Sequence, residues 1–279
     1  MGDPHYSPGI SFFSILEATR SNQFIYLSES VGDALGFEPD EMVGNSAFEY
    51  CHPDDRTCVM NVFDDCIRNQ RMGAIIHVRA RGKFGWVELE TVWSFCHNII
   101  FHTNRLIRGP NHFESRMDPP LALTQSTSSE SRGTQSTSKN IPLEFVHPSA
   151  PSSERLNHST AEPRVGLVLN RFSYYCYIQY CSELVGYMFG ISQKEILGNS
   201  FLSYIHPSDL ERVEEQLTSI KSQNILLPIA FTLVSPYGDV PVQGVFSATI
   251  DGIVAVIRHA NSKFPLDCTM HYFTNTYRQ

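Results

Sequence analysis

Cysteine and histidine are the residues of this sequence that could most readily bind a metal or act as a nucleophile. Cys51 and His52 are adjacent, and Cys58 and Cys66 follow seven and then eight residues further on. Zinc sites instead place paired cysteines two to four residues apart, so this spacing matches no zinc template. We therefore predict no metal site. We expect Cys58 and Cys66 to be small apolar residues on or near the packed face of a helix.

Five histidines are candidates for a cofactor ligand. His52 and His206 each precede a proline at a predicted helix start, where a structural role is the favoured interpretation. His77 alternates with inward positions of a predicted strand, so it should point away from the interior. Nothing in the sequence fixes the direction of His97 or His102. Haem ligation by either of these two stays an open alternative.

Motifs that would indicate catalysis are missing from the sequence. It contains no Gly-x-Ser-x-Gly elbow, no phosphate-binding Gly-Lys-Ser/Thr loop and no His-Glu-x-x-His helix. We therefore expect a protein that is not an enzyme.

The net charge and the length of the chain exclude several further classes of protein. The chain has 279 residues, with 21 Lys and Arg against 29 Asp and Glu, for a net charge of −8. This acidic balance argues against direct binding to nucleic acid or to anionic membranes. No apolar run approaches the ~20 residues of a membrane span, and no secretory signal is visible at the start. We expect about two domains and a location in the nucleus, the cytoplasm or both.

A composition break divides the chain. Between Thr124 and Ser138, ten of fifteen residues are Ser or Thr, and prolines flank the tract. Such a segment has little apolar surface to bury and is predicted to be a disordered linker. It is either a passive connection or a hinge that phosphorylation would charge.

The blocks on either side of the linker are repeats of each other. Gly44–Ser46 recurs as Gly198–Ser200, 154 residues further on, and His52-Pro53 recurs as His206-Pro207 at the same spacing. Downstream of the helix the spacing falls to 153. Unrelated domains would not keep this register, so we infer a duplication. The predicted division is an N-terminal tail 1–11, a first domain 12–108, the linker 109–163, a second domain 164–260 and a C-terminal extension 261–279.

Each repeat predicts the same order of elements: two strands, short helices, one longer helix and three antiparallel strands. Pro39 stands at the first position of a short helix, and Ser192 with Glu195 forms a capping box for its counterpart. The His-Pro pairs then open the longer helix. Its apolar positions are Val59, Phe63 and Cys66 in the first repeat and Leu210, Val213, Leu217 and Ile220 in the second. The inward strand positions are Ile76, Val78, Ala80, Val87, Leu89, Trp93 and Phe95 in the first repeat and Ile229, Phe231, Leu233, Val242, Phe246 and Ala248 in the second.

This order, with a helix-ending Gly-Asn-Ser and a His-Pro-x-Asp helix start, resembles a PAS domain. Residues 36–55 and 190–209 carry the resemblance, together with strand-turn-strand units around Gly85 and Gly238. The similarity covers roughly two thirds of the chain. The pair is similar to the tandem PAS regions of fungal white-collar-type and basic helix-loop-helix PAS regulators, without their DNA-binding parts.

The resemblance implies an α+β fold with two PAS-like domains, each a five-stranded antiparallel sheet with helices on one face. In this family the cavity between sheet and helices can hold a ligand, and the outer sheet face often docks a partner. Light-sensing members need a reactive cysteine in an Asn-Cys-Arg-Phe-Leu-Gln motif. The corresponding segments, residues 44–48 and 198–202, lack the Cys, the Arg and the Gln, so we expect no flavin adduct.

We therefore predict a signalling and protein-interaction module that regulates transcription by pairing with another PAS-containing or DNA-binding regulator. The predicted partner interface comprises Trp86, Glu88, Glu90 and Val92 in the first repeat and Pro241, Gln243 and Val245 in the second. The alternative is a sensor of haem or another small molecule, although no cofactor is predicted outright. Its cavity candidates are Ile76, Val78, Leu89 and Trp93 in the first repeat and Ile229, Phe231, Leu233, Val242 and Phe246 in the second.

Overall fold

The computed structural model describes residues 9–109, 162–222, 226–262 and 268–271. The Ser/Thr-rich tract predicted to be a disordered linker lies outside these residues. The first repeat contains five strands and four helices. They are β1 Ser11–Glu17, β2 Phe24–Leu27, α1 Val31–Leu35, α2 Pro39–Met42, α3 Ala47–Tyr50, α4 Pro53–Arg68, β3 Gly73–Gly82, β4 Gly85–Cys96 and β5 Ile99–Arg108.

The second repeat follows the same order, with a 3-10 turn at Phe201–Tyr204 in place of α3. Its elements are β6 Val165–Leu169, β7 Ile178–Cys181, α5 Val185–Phe189, α6 Gln193–Ile196, α7 Pro207–Ser222, β8 Leu227–Ser235, β9 Gly238–Ala248 and β10 Ile253–His259. A further strand, β11 Cys268–His271, follows it. No helix in the described ranges is long and apolar enough to cross a membrane.

Each repeat forms a five-stranded antiparallel sheet with its helices on one face. The strand order is β3-β4-β5-β1-β2 in the first sheet and β8-β9-β10-β6-β7 in the second, so the two sheets correspond strand for strand. The predicted α+β fold is therefore confirmed. The strand β11 was not predicted: it pairs in parallel with the edge strand β3, from Gly73 to Ile76, and belongs to the first sheet although it follows the second repeat.

The sequence features that the two repeats share begin and end the helices through backbone conformation and capping hydrogen bonds. Gly36 and Gly190 end α1 and α5 in the left-handed conformation, which glycine adopts without steric cost. The Ser192 and Glu195 capping box is present as predicted, and Pro39 begins α2. His52 is the N-cap of α4, and its Nδ1 accepts a hydrogen bond from the backbone N–H of Asp54 at 3.2 Å.

The aspartate after each His-Pro pair ties the long helix to the sheet. Asp55 Oδ2 accepts a hydrogen bond from the backbone N–H of Arg79 on β3 at 3.0 Å. Asp209 Oδ2 accepts the equivalent bond from Thr232 on β8 at 2.8 Å. The duplicated His-Pro-x-Asp pattern therefore fixes where the helix meets the sheet, which is why it recurs in both repeats.

One prediction about the long helix is wrong in part. Cys66 is buried in the core as expected, but Cys58 is exposed. The buried face of α4 runs through Val59, Phe63 and Cys66, so position 58 lies one residue off the 3.6-residue stripe.

The outer faces of the two sheets pack against each other. Their contact is an apolar cluster that contains residues of both repeats. Its buried members are Phe13, Ile15, Met72, Cys96, Ile99 and Phe101 from the first repeat and Val168, Val245, Val254 and Val256 from the second. The two repeats therefore bury part of each outer sheet face against the other, whereas Trp86 on β4 stays half-exposed.

A buried cluster of charges borders this contact. The Arg164 guanidinium donates hydrogen bonds to the backbone carbonyl oxygens of Gln70, Arg71 and Phe95 in the first repeat. The Glu162 carboxylate lies 3.4 Å from Arg164 and 3.0 Å from the fully buried Arg258. These bonds offset the cost of burying the ions and fix the start of β6 against the first repeat.

Candidate functional site

A cavity of about 70 Å³ lies between the sheet and the helices of the first repeat. The four residues predicted to form a first-repeat cavity, Ile76, Val78, Leu89 and Trp93, all line it. Helical residues such as Ala47 and Met42 close the opposite side. The sequence pattern thus located the walls of this space.

Several polar residues lie on the sheet side of the cavity, although its accessible surface is mainly apolar. Ser14 on β1, Thr91 on β4, and His102 and Asn104 on β5 all line it, and Asn22 joins them from the loop before β2. All five are at most 6% exposed. Thr91 Oγ1 donates a hydrogen bond to Asn104 Oδ1 at 3.0 Å. Buried polar groups cost free energy unless they are paired, so this concentration calls for an explanation.

His102 is an uncharged histidine in this cavity. Its ring lies parallel to the indole of Trp93, with centroids 5.3 Å apart and planes 11° from parallel. Desolvation by burial lowers the pKa of His102 to about 3, because no carboxylate compensates for the lost water. The imidazole is therefore neutral at physiological pH and offers one donor nitrogen and one acceptor nitrogen.

Four of the polar atoms around the cavity have no hydrogen-bond partner among the described residues. They are Ser14 Oγ, Asn22 Oδ1, Trp93 Nε1 and His102 Nε2. An unpaired buried donor or acceptor costs roughly 1–3 kcal/mol. Each of these atoms exposes less than 1 Å² to a water-sized probe, so a molecule in the cavity could pair with them only if the surrounding side chains moved.

The second repeat has an apolar residue or glycine at each of the equivalent positions. Cross-strand pairing fixes the correspondence: Trp93 pairs with His102 on the neighbouring strand, and Phe246 pairs with Ala255. The remaining counterparts follow from the same alignment. They are Ser14 and Leu167, Asn22 and Cys176, Thr91 and Gly244, Trp93 and Phe246, His102 and Ala255, and Asn104 and Ile257. Buried polar residues at these positions are therefore found in the first repeat and not in the second.

Aromatic rings occupy the corresponding space in the second repeat. Phe201, Phe231 and Phe246 pack together with ring centroids 5.9 to 6.4 Å apart. Phe201 stands where the first repeat has Ala47, a smaller residue that lines the cavity there. The five second-repeat cavity candidates all lie in this core. Ile229, Phe231, Leu233, Val242 and Phe246 are at most 4% exposed.

The first-repeat residues predicted to dock a partner lie on the outer face of β4. Trp86 is half-buried, with its ring 4.5 Å from that of His52. The Glu90 carboxylate accepts a hydrogen bond from Arg105 at 2.6 Å, and Glu88 lies 3.4 Å from Arg108. Val92, which is also predicted to dock a partner, is buried. This surface combines one aromatic ring with paired charges.

The second-repeat residues of the predicted interface differ in accessibility. Pro241 is exposed, whereas Val245 is buried in the cluster between the two sheets. Gln243 is half-buried beside Arg258, and its amide oxygen accepts from that guanidinium at 3.1 Å in the orientation that hydrogen bonding favours. Binding to a further protein stays a prediction for this surface.

The cysteine and histidine candidates do not come together as a site. Within the described residues, no group of three His, Cys, Asp or Glu side chains could hold a metal ion. Burial raises the pKa of the Cys51 thiol to about 12, so it is neutral and a poor nucleophile. His77 lies 3.2 Å from Glu90 and does not line the cavity, consistent with its predicted outward direction.

Comparison with known families identifies both repeats. The family described as the PAS fold matches residues 24–93, and the family described as the PAS domain matches residues 166–279. The chain therefore carries two PAS domains in tandem. Basic helix-loop-helix ARNT-like protein 2 of Gallus gallus is 25% identical over 97 residues, which cover 32% of this chain and 16% of that protein.

Solved structures of other PAS domains are similar to parts of the chain. The PAS-B domain of Drosophila melanogaster Cycle with bound ethylene glycol is 21% identical, with a TM-score of 0.32. The match covers 34% of this chain and 99% of that one. The PAS domain of the Cronobacter turicensis quorum-sensing receptor RpfR, in complex with C12:0, is 12% identical with a TM-score of 0.32. It covers 35% of this chain and 93% of that one.

Sequence reasoning missed the polar residues of the cavity. The sequence of β5 alone does not show whether the His102 side chain points toward the helices or away from them, because this end of the strand is apolar on both faces. Pairing across the hairpin would have placed it opposite Trp93, an inward position. Aligning the repeats at the 153-residue spacing would then have set His102 against Ala255 and marked the difference between the cavities.

Proposed function

We propose that this chain is a tandem PAS signalling module that regulates transcription by pairing with another PAS-containing or DNA-binding regulator. It catalyses no reaction itself and acts in the nucleus, the cytoplasm or both. The similarity of one segment to a basic helix-loop-helix ARNT-like protein supports this role. The net charge of −8 supports assigning the DNA contact to the partner.

The outer face of β4 carries this proposal. Sheet-to-sheet packing already joins the two repeats within the chain, so an outer sheet face of this fold does form a protein interface. On the first sheet, Trp86 is half-exposed, and the ion pairs of Glu88 and Glu90 follow it along the same face of β4. An aromatic anchor with a charged rim is the usual composition of a transient interface.

Affinity capture from nuclear extract, followed by reconstitution with the purified partner, tests this function. We expect the wild-type chain to capture a PAS-containing DNA-binding regulator and to form a one-to-one complex with it. Trp86→Ala should reduce binding at least about tenfold. Tyr237→Ala, which removes an 88% exposed ring from the second repeat, should leave binding unchanged. Equal binding by Trp86→Ala and wild type would contradict the assigned surface.

A second function, sensing of a small molecule, is favoured by the cavity between the sheet and the helices of the first repeat. A space of about 70 Å³ does not accommodate a porphyrin or flavin ring system. We therefore expect the purified chain to show no Soret or flavin absorption. Thermal stabilisation by a colourless compound would support sensing, whereas a visible cofactor band would contradict this view of the cavity.

A further inference from the structure

We propose that the outer edge of β3 is a strand-addition site that binds an extended segment of a partner protein. In the chain on its own, β11 occupies this site. The site lies at the start of β3, whereas Trp86 on β4 pairs with Arg81 near the end of that strand. The inference therefore goes beyond the pairing through the outer face of β4 and does not depend on it.

The backbone of β3 directs hydrogen-bonding groups away from the sheet at alternate residues. The N–H of Arg79 donates to Asp55 Oδ2 at 3.0 Å, and its C=O accepts from the N–H of His52 at 2.8 Å. Both groups of Arg79 therefore face away from β4. The pairing of β3 with β4 has no register shift along its whole length. Because the direction alternates along a strand, the backbone groups of Ile75 face the same outer edge.

The strand β11 shows what this edge accepts. It pairs with β3 in parallel over four residues, and Met270 lies opposite Ile75. The segment follows the second repeat in the chain, whereas β3 belongs to the first. The edge therefore takes a strand that is not part of its own repeat. A sheet binds an extended peptide of another protein by the same backbone pairing.

The second repeat closes the equivalent edge with a proline. The N–H of Thr232 donates to Asp209 Oδ2, and its C=O accepts from the N–H of His206 at 2.9 Å, so Thr232 faces the outer edge of β8. Four residues earlier, Pro228 faces the same edge and corresponds to Ile75 at the 153-residue spacing. Proline has no N–H to donate, and it blocks further pairing at the edges of sheets. Within the described residues, β8 is the last strand of its sheet.

The pairing of β11 is short enough to be displaced. It covers four residues of a ten-residue strand. Peripheral segments with few paired residues open at a lower free energy than the core strands of a sheet. A longer segment of a partner that pairs with the same edge would replace β11.

The sequence at the edge indicates the chemistry of the partner segment. The paired part of β3 is Gly-Ala-Ile-Ile, and β11 is Cys-Thr-Met-His, so neither contains Asp, Glu, Lys, Arg or Pro. Farther along β3, His77 and Arg79 form ion pairs with Glu90 and Asp55 of the first repeat. We therefore expect the partner segment to be extended, uncharged and free of proline.

Peptide binding to the full chain tests the site. The probe is a fluorescently labelled synthetic peptide of residues 265–274, which contains the β11 sequence. The receptor is the full chain with Thr269→Pro, because a proline in the middle of β11 removes a backbone N–H and weakens its pairing. We expect saturable binding, measured by fluorescence anisotropy under reducing conditions. Wild type should bind at least about tenfold more weakly, because its own β11 competes at a millimolar effective concentration.

Two variants of one residue make the result specific. Ile75→Pro gives β3 the residue that the second repeat has at this position, and its addition to the Thr269→Pro chain should abolish peptide binding. Ile75→Ala is the matched control. It keeps the backbone N–H, so binding should stay within about threefold of that of the Thr269→Pro chain.

Amide hydrogen exchange locates the site without relying on a proline in β3. In the Thr269→Pro chain, the Ile75 amide should exchange faster than in wild type and slow again when the peptide is added. The amide of Ala74, which faces β4, should stay protected throughout. This measurement decides the matter should Ile75→Pro fail to fold.

Four results would overturn the proposal. They are the absence of saturable peptide binding to the Thr269→Pro chain, equal binding by wild type, undiminished binding by a folded chain that also carries Ile75→Pro, and an Ile75 amide whose exchange the peptide does not change. Loss of partner capture by Trp86→Ala is independent of all these outcomes, so the two proposals fail separately.

Discussion

The two repeats have the same fold but differ in how they fill the space beneath the sheet. Residues that fix the fold are shared: Ser28 and Ser182 each accept a hydrogen bond from a strand N–H, and Asp55 and Asp209 each tie the long helix to the sheet. Residues that face the interior differ, with a polar set around a cavity in the first repeat and packed aromatic rings in the second. Duplication thus preserved the framework while the interiors diverged, one as a candidate binding site and one as a core.

Opening the second core should have the largest effect. Phe201→Ala removes a fully buried ring and gives the second repeat the residue of the first. We expect a loss of about 3–5 kcal/mol in the free energy of unfolding, from lost burial and the cavity left behind. Urea denaturation followed by circular dichroism measures it. Tyr237→Ala should change stability by less than about 0.5 kcal/mol. A loss below about 1 kcal/mol for Phe201→Ala would mean that the second interior is already loosely packed.

In each repeat, a residue at the start of the first strand forms hydrogen bonds to the other repeat. These bonds should contribute more to the free energy of unfolding at Arg164 than at Ser11. Arg164→Met removes a guanidinium that bonds three carbonyls and leaves Glu162 with one fewer partner. We expect a cost of about 3 kcal/mol. Ser11, the equivalent residue, accepts a single hydrogen bond from Ile250 N–H at 3.0 Å, so Ser11→Ala should cost about 1 kcal/mol. Thermal denaturation of both variants checks the order, and equal losses would contradict this asymmetry.

The pH dependence of the free energy of unfolding should reveal the buried His102 of the first repeat, whose counterpart in the second repeat is alanine. Its folded pKa, lowered to about 3, lies below the ordinary value of 6.5, so between these values the unfolded chain binds a proton that the folded chain does not. Its contribution to stability is therefore complete above pH 6.5 and is lost as the pH falls toward 3. The slope approaches ~1.4 kcal/mol per pH unit.

The comparison is made between wild type and His102→Ala, which gives the first repeat the alanine of the second. Urea midpoints measured between pH 7 and pH 4 should fall more steeply for wild type. Parallel profiles would mean that His102 titrates normally in the folded chain.

The smallest expected effects on the free energy of unfolding concern two serines of the first repeat, Ser14 and Ser28. Ser14 Oγ has no partner among the described residues, so Ser14→Ala should not lower the free energy of unfolding and should raise it by up to about 1 kcal/mol, because it removes an unpaired buried hydroxyl. Ser28 Oγ accepts a hydrogen bond from Phe13 N–H at 2.9 Å, and Ser28→Ala should cost roughly 1–3 kcal/mol by leaving that donor unpaired. Chemical denaturation measures both. A costly Ser14→Ala would show that its hydroxyl is already satisfied in the folded chain.

The fold was predictable from sequence because its signals are local and occur twice. The Gly36 and Gly190 helix ends, the capping box at Ser192 and the helix start at His52 depend on residues a few positions apart. The walls of the cavity followed from strand alternation, as Trp93 and Leu89 illustrate.

The polar side of the cavity was not predictable in this way. The direction of His102 depends on its pairing with Trp93, and the cavity is lined in addition by Ala47, a residue from a distant helix. The pairing of β11 with β3 and the packing of one sheet on the other join residues far apart in the chain, without a local signal.

A crystal structure of the chain tests the difference between the repeats most directly. We predict an open space of about 70 Å³ between the sheet and the helices of the first repeat, and closely packed rings of Phe201, Phe231 and Phe246 in the second. An open space of that size in both repeats, or a filled interior in the first, would contradict the account.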